Sequence, residues 1–381
     1  QLNTALTEVF NDTEFIGGSA DALAFDDKLL NKGIIVTSLF SEFLEVGIGS
    51  QENISKDPYS QTKKALDNAL SKIKIDQYTG PYMQALRMKE SNVKNLLKMP
   101  SYFGFVFARG FKPDRLGNEN LIIQAISDEI GLNTPLFGGS FGVPLEKLFA
   151  GEKFETYSFH NGQVMSDGLI IVLFISSLAY QQTVEHCCLP THNVGYISKT
   201  EKDGYVVAEI SNKTPIQWYC EKLNISKQEF VGKPGLYTQM YPLGIPDEYG
   251  TYMIRAGGVP FEGEKLMFQL PFIEGNPVFL MDASVKNILE APKCIQQDYS
   301  YLKDMDLEPA ITFAALCASR RLTLKEKTNL ELKDLSKRIK GPLVGFYSFT
   351  EIGSKPGRPT KVQHLTTSTF TIYQQLLAKI K

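Results

Sequence analysis

The chain has little of what marks a specialised protein. Its 40 basic and 42 acidic residues nearly cancel, leaving a formal net charge of -2 over 381 residues. No one-signed field exists to attract nucleic acid or an anionic membrane, so neither is expected as a partner. The longest apolar run, Leu169 to Ile175 with its flanks, falls far short of the roughly 20 residues that span a bilayer as a helix, and reads instead as a core strand. The five cysteines (Cys187, Cys188, Cys220, Cys294 and Cys317) are odd in number and irregularly spaced. That excludes a disulfide framework and points to a reducing setting, with the cytoplasm as the expected compartment. Only four histidines are present, and the one local cluster, His186-Cys187-Cys188 with His192, matches neither paired C-x-x-C nor H-E-x-x-H, so no metal site is expected. G-x-x-x-x-G-K-[ST] is missing. The opening Gln1-Leu2-Asn3-Thr4 carries no basic region, no hydrophobic signal core and no initiator Met, which reads as a fragment or a processed product. Asn-x-Ser/Thr triplets at Asn11, Asn53, Asn212 and Asn224 are those a polar chain produces by chance.

What is present begins with Pro135-Leu136-Phe137-Gly138-Gly139-Ser140-Phe141-Gly142, followed by Phe159-His160-Asn161-Gly162 and Asp167-Gly168 leading into the apolar run. Two glycines and a serine at the end of an apolar stretch predict a sharp turn with exposed backbone N–H groups, forming a binding rim on a rigid sheet. His160 falls in the second turn, facing solvent. A weaker copy lies upstream, where Gly17-Gly18-Ser19 precedes Lys32-Gly33-Ile34-Ile35-Val36, and suggests internal duplication.

The first half alternates helical and strand patterns. Asp57-Pro58 opens a helix through Ile73, Tyr102 to Ala108 is a strand, Glu119 to Ile130 a helix stopped by Gly131, and Thr134 to Phe137 a strand. Beyond Pro190 to Asn193 the pattern changes to short strands separated by Gly and Pro, with Thr214-Pro215 capping a helix, which predicts a β-rich layer. Thr323-x-x-Glu326 has the form of a capping box opening a helix that ends at Gly341-Pro342. A strand from Leu343 runs into a turn, the loop Ser354 to Lys361 is expected to be exposed, and Leu365 to Tyr373 is a Thr-rich strand. The alternation predicts an α/β (α+β mixed) fold of two related halves, each a mainly antiparallel or mixed sheet covered by helices.

Candidate chemistry is sparse. The glycine turn can cradle an anion, but the dinucleotide spacing is missing. Ser140 stands in Gly138-Gly139-Ser140-Phe141-Gly142, which has the letters of G-x-S-x-G but no clear following helix to make a nucleophile elbow, and Cys317 sits in an apolar run that suggests an inert thiol. Arg255 and Arg320 each end an apolar segment, where a guanidinium can take a ligand carboxylate or an internal one such as Glu351 or Asp167. A histidine could serve haem as an axial ligand, with His192 and His186 the first candidates.

Taken in order, several segments resemble the FIST sensory family along nearly the whole chain. They are Leu136 to Gly142, Asn161-Gly162-x-Val164-x-Ser166-Asp167-Gly168, Val206 to Pro215 leading to Trp218-Tyr219, Tyr241-Pro242-Leu243-Gly244, Cys317-Ala318-Ser319-Arg320, and Gly345 to Gly353. The resemblance implies an N-terminal FIST region over 1–210, with a strand and part of a helix before Gln1 missing, and a C-terminal region over 211–381. It also implies a non-catalytic cytoplasmic input module for amino acids or similar small ligands, joined to a signalling output such as a histidine kinase or chemoreceptor. The ligand is expected where the glycine turns of both halves meet, at Gly138, Gly139, Ser140, Asp167, Arg255, Cys317, Arg320 and Glu351. No cofactor is expected. The alternatives are a haem-based nitric oxide sensor, as in one branch of the family, and an enzyme using Cys317 or Ser140. Two departures stand out: Thr350 replaces the first glycine of the family's Gly-Glu-Ile-Gly, and Ala20-Asp21 follow Gly17-Gly18-Ser19.

Overall fold

A computed structural model of the chain describes residues 2–10, 13–73, 102–111, 117–145, 147, 152–299 and 307–376; Gln1 and Asn11, named above, lie outside them. The apolar run forms β9 (Gly168–Ser176), buried at every position. Successive strand residues point to opposite faces, so β9 serves two cores: Ile170, Val172 and Phe174 enter one, while Leu169, Ile171, Leu173 and Ile175 enter the other. It pairs antiparallel with β4 (Leu44–Glu52) and β5 (Tyr102–Ala108). β5 runs parallel to β6 (Leu136–Ser140), and β20 (Glu351–Gly353) with β21 (Lys361–Gln363) completes a six-stranded mixed sheet.

A second six-stranded sheet repeats that plan. Its order is β10 (Leu178–Glu185), β22 (Thr367–Leu376), β18 (Pro309–Cys317), β19 (Leu343–Ser348), β2 (Leu23–Phe25) and β3 (Lys28–Leu30). Here β18 and β19 are the parallel pair. The related halves also exchange hairpins: β2 and β3, early in the chain, close the late sheet, while β20 and β21, late in the chain, close the early one. The inner faces meet in a phenylalanine cluster, with Phe103 4.8 Å from Phe174 and 4.6 Å from Phe370 between ring centroids. Helices Pro58–Ser71 and Glu119–Ile130 cover the outer face of the first sheet, and Ala291–Asp298 and Thr328–Ile339 that of the second.

The β-rich layer expected after Pro190 is a seven-stranded antiparallel sheet: β11 (Leu189–Glu201), β12 (Val206–Ile210), β13 (Leu243–Pro246), β14 (Tyr252–Arg255), β15 (Val259–Phe261), β16 (Lys265–Met267) and β17 (Pro277–Asp282). Trp218, Tyr219 and Phe230 help fill its own core. A small sheet joins β1 (Ile16–Gly18), β7 (Ser158–His160) and β8 (Gln163–Met165). The helix starts follow their sequence signals: Asp57 accepts from the Ser60 N–H and Thr214 from the Gln217 N–H.

Several local expectations are corrected. Gly138-Gly139-Ser140 lies inside β6, fully buried, and is not a turn. A Cβ on Gly138 (φ 146°) would stand 2.0 Å from the Val106 carbonyl oxygen, so the glycine is there for close approach of the neighbouring strand. Gly33 to Val36 form no strand; Ile34 and Val36 are each 60% exposed, and the duplication appears in sheet topology instead. Thr323 caps no helix, because it already lies in Ala318–Leu324 with its hydroxyl donating to the Ser319 carbonyl. Lys325, at φ 51°, ends that helix, and Thr328–Ile339 starts afresh after a 3-10 turn. His160 is half-buried at the end of β7, with Nδ1 2.9 Å from Ser50 Oγ and Nε2 2.8 Å from Glu14. In the Ser354 to Lys361 loop only Pro356 and Gly357 are exposed.

Candidate functional site

The structure splits the eight expected site residues into separate networks. Ser140 Oγ lies 2.8 Å from Thr350 Oγ1 and accepts from the Thr350 N–H, and Thr350 donates on to Glu119. Next along β20, buried Glu351 accepts from Ser348 Oγ and Thr366 Oγ1, each at 2.9 Å, and is also bonded to Cys317. Burial pushes its carboxyl up to about 8 against those hydrogen bonds, and raises the Cys317 thiol further still. Ser140, Cys317 and Glu351 are thus brought together around the ends of β6 and β18. Asp167 stands apart, 2.9 Å from Arg109 Nε and 2.6 Å from Ser55 Oγ.

The two arginines are structural anchors of different kinds. Arg320, fully buried, pairs with equally buried Glu331 and donates to the carbonyls of His186, Leu365 and Ile288. Its partner is therefore neither Glu351 nor Asp167. Arg255 donates to the carbonyls of Val362 at 3.1 Å and Ile254 at 3.3 Å. No ion pair includes it among the described residues, and burial lowers its guanidinium to about 10.

None of the eight lines the main cavity, which has a volume of about 430 Å³ and opens where the three large sheets meet. Its walls are the β10–β11 junction (185–189), the turn before β14, the helical segment around Asn287, Glu290 and Cys294, and the 353–363 loop between β20 and β21. Most charges there are already matched. Lys355 bridges Glu185 and Asp298, and Lys361 sits 2.9 Å from Asp247, whose acidity is enhanced because hydrogen bonds from Thr251 and Lys361 outweigh burial. Arg358 differs: its Nη1 donates to Thr251 Oγ1 at 3.2 Å and its guanidinium lies 4.8 Å from the Tyr249 ring centroid, with no carboxylate paired to it among the described residues. Gln363, 7% exposed, has a buried Oε1 with no hydrogen-bond partner among them. An uncompensated guanidinium and an unsatisfied acceptor on one wall can receive a ligand carrying both an anion and an N–H or O–H donor.

Sequence reasoning missed Arg358 and Lys355, which fall in the loop read as exposed, and Gln363, which lies just beyond it in β21. The usable signal was His186-Cys187-Cys188, set aside because its spacing suits no metal. Its histidine does not fit a haem either. His186 Nδ1 accepts from the Cys188 N–H at 2.9 Å and the ring also bonds the Tyr252 backbone, so Nε2 carries the proton. His364 Nδ1 likewise accepts from the Ala256 N–H, and His192 is exposed on β11. Among the described residues no group of three or more His, Cys, Asp or Glu is arranged to hold a metal ion.

No helix among them is long and apolar enough to cross a membrane. No curated protein matches the chain. The family model of the FIST N domain matches residues 1–213, and that of the FIST C domain matches 215–354. On these matches the chain belongs to the FIST family of sensory, signal-transduction domains.

Proposed function

We propose that this protein is a non-catalytic sensor whose small polar ligand, of the amino-acid type, occupies the cavity between the β10–β11 junction and the 353–363 loop. The observation that carries the reading is Gln363, a buried acceptor left without a partner on a cavity wall that also holds the uncompensated Arg358. A buried polar group is left unsatisfied only at a cost, and a ligand donor would remove that cost. Arg320 and Arg255 act as positioning residues, since they hold the backbone at His186 and at Val362, next to two cavity-lining segments. Glu351, Cys317, Ser140, Gly138 and Gly139 belong to the sheet framework, and Asp167 to the separate pair with Arg109. A ligand bridging segments from different sheets shifts their relative populations, which a cytoplasmic output partner such as a histidine kinase or chemoreceptor can read.

The test is a thermal-shift and calorimetric screen of amino acids and small carboxylates on the wild-type chain and on Arg358→Lys. A hit whose affinity falls about tenfold in the variant is expected, because lysine keeps the charge and loses the planar fork. The free variant should melt with the wild type, since the only hydrogen bond lost is to the Thr251 hydroxyl. Absence of any hit, or equal affinity in the variant, would overturn the reading.

A further inference from the structure

Three cysteines line this cavity, Cys187, Cys188 and Cys294, and the ligand reading above uses none of them. Of these, Cys187 and Cys294 are near enough for Cys294 to raise the Cys187 thiol. They stand on different elements: Cys187 is in the β10–β11 junction at φ 56°, a left-handed backbone rarely adopted by a residue with a Cβ, and Cys294 is on helix Ala291–Asp298. Lys355 ties the same two elements together through Glu185 and Asp298. All five cysteines are free. The others are placed differently: Cys188 and Cys317 are buried, and Cys220 lies on helix Pro215–Leu223 against the third sheet.

We propose that Cys187 and Cys294 are an oxidation site, forming a reversible disulfide across the cavity wall in response to a hydroperoxide. One thiol takes an oxygen from the hydroperoxide, giving a sulfenic acid and an alcohol, or water when the oxidant is hydrogen peroxide. The second thiol then attacks that sulfur, forming the S–S bond and releasing water. Two thiols and one hydroperoxide are consumed, and a dithiol reductant reverses the change. Burial, and after it the neighbouring Glu185 and Cys294, hold Cys187 as the thiol, so oxidation is slow and needs sustained exposure to the hydroperoxide. The bond would staple the β10–β11 junction to the helix and fix one wall of the cavity.

Treating the reduced full chain with hydrogen peroxide, alkylating, and mapping peptides without reductant should give one linked pair containing Cys187 and Cys294, lost on adding dithiothreitol. Cys188→Ser should keep the link and Cys294→Ser should abolish it, leaving a trappable sulfenic acid. The oxidised chain should melt several degrees higher than the reduced one. A link through Cys188, or Cys187 still fully alkylated after peroxide treatment of folded wild-type protein, would overturn the proposal. Wild-type mapping decides even if a serine variant misfolds, and because no ligand is used, the outcome is independent of the ligand reading.

Discussion

The two six-stranded sheets share strand order and a central parallel pair, yet they reach the main cavity differently, the second through the end of β10 and the first only through the exchanged strands β20 and β21. In the first, β5 leads directly to Arg109, which pairs with Asp167 beside the covering helices. In the second, β18 leads to Arg320, whose guanidinium reaches the His186 carbonyl where the chain leaves β10 for the seven-stranded sheet. The repeated scaffold supplies a buried arginine–carboxylate pair at the same end of both sheets. The cavity comes from what was added to one of them, and the loop between the exchanged strands β20 and β21 closes it. In this chain symmetry accounts for the framework and asymmetry for the site.

The largest effect should come from unbalancing the two ion pairs. Arg320→Met leaves Glu331 buried and uncompensated along with three carbonyls, and should cost about 3–5 kcal/mol in urea unfolding. Arg109→Met should cost about 1–2 kcal/mol, because Asp167 keeps the Ser55 hydroxyl and retains some solvent contact. Arg320→Met with Glu331→Leu should recover most of the loss. Equal costs for the two single variants would remove the distinction between the ends of the sheets.

A smaller effect is expected from the glycines of the matched central strands. Gly138→Ala would place Cβ 2.0 Å from the Val106 carbonyl at φ 146°, forcing the parallel pair apart. Gly345→Ala, in β19, meets the Ala314 carbonyl at 2.9 Å and otherwise side-chain atoms beyond 3 Å. The first should lose about 3 kcal/mol and the second about 1 kcal/mol by thermal unfolding. The reverse order would mean that the strands of the first sheet relax more easily than their spacing indicates.

Much of the scaffold was legible because its signals are local. The run in β9 reads as buried on both faces, and the Asp57-Pro58 and Thr214-Pro215 starts and the Gly131 stop each depend on a few adjacent residues. Gly138-Gly139-Ser140 was misread because glycines are a turn signal locally. Their place in a strand is dictated by Val106 and Thr350, whose backbone oxygens approach from other strands. The cavity was illegible for the same reason: four segments of ordinary composition form it, and whether Arg358 has a carboxylate partner depends on which acids other cations have already taken. The buried pair Arg320–Glu331 is local in sequence, but Glu331 lies in the first turn of its helix, where an acid reads as a solvent-facing charge.

The smallest predicted effect concerns the exchanged hairpins and is read in pH. β20 carries buried Glu351, with its carboxyl pushed up to about 8, whereas β2 meets β19 through Leu23, Ala24 and Phe25. An unfolded Glu loses its proton near ~4.3, so between that value and about 8 the native state holds a proton the unfolded chain has released. The associated stability is fully present below the unfolded value and is lost as pH rises through the interval, at ~1.4 kcal/mol per pH unit. His186 and His364 run the other way, because burial lowers them to about 4 and about 3. Their contribution is complete above the unfolded histidine value near ~6.5 and is lost as pH falls, so it is flat in the range above. Glu185 is raised by burial too, in the same direction as Glu351, so the comparison is made by difference. Chemical denaturation at pH 6.5, 7 and 7.5 should show Glu351→Gln losing less stability with rising pH than the wild type, by ~1.4 kcal/mol across that unit. Ala24→Ser, in the hairpin of the second sheet, should leave the wild-type slope unchanged. Parallel slopes for wild type and Glu351→Gln would show that the carboxyl is ionised in its strand, and that the two hairpins differ in sequence but not in electrostatics.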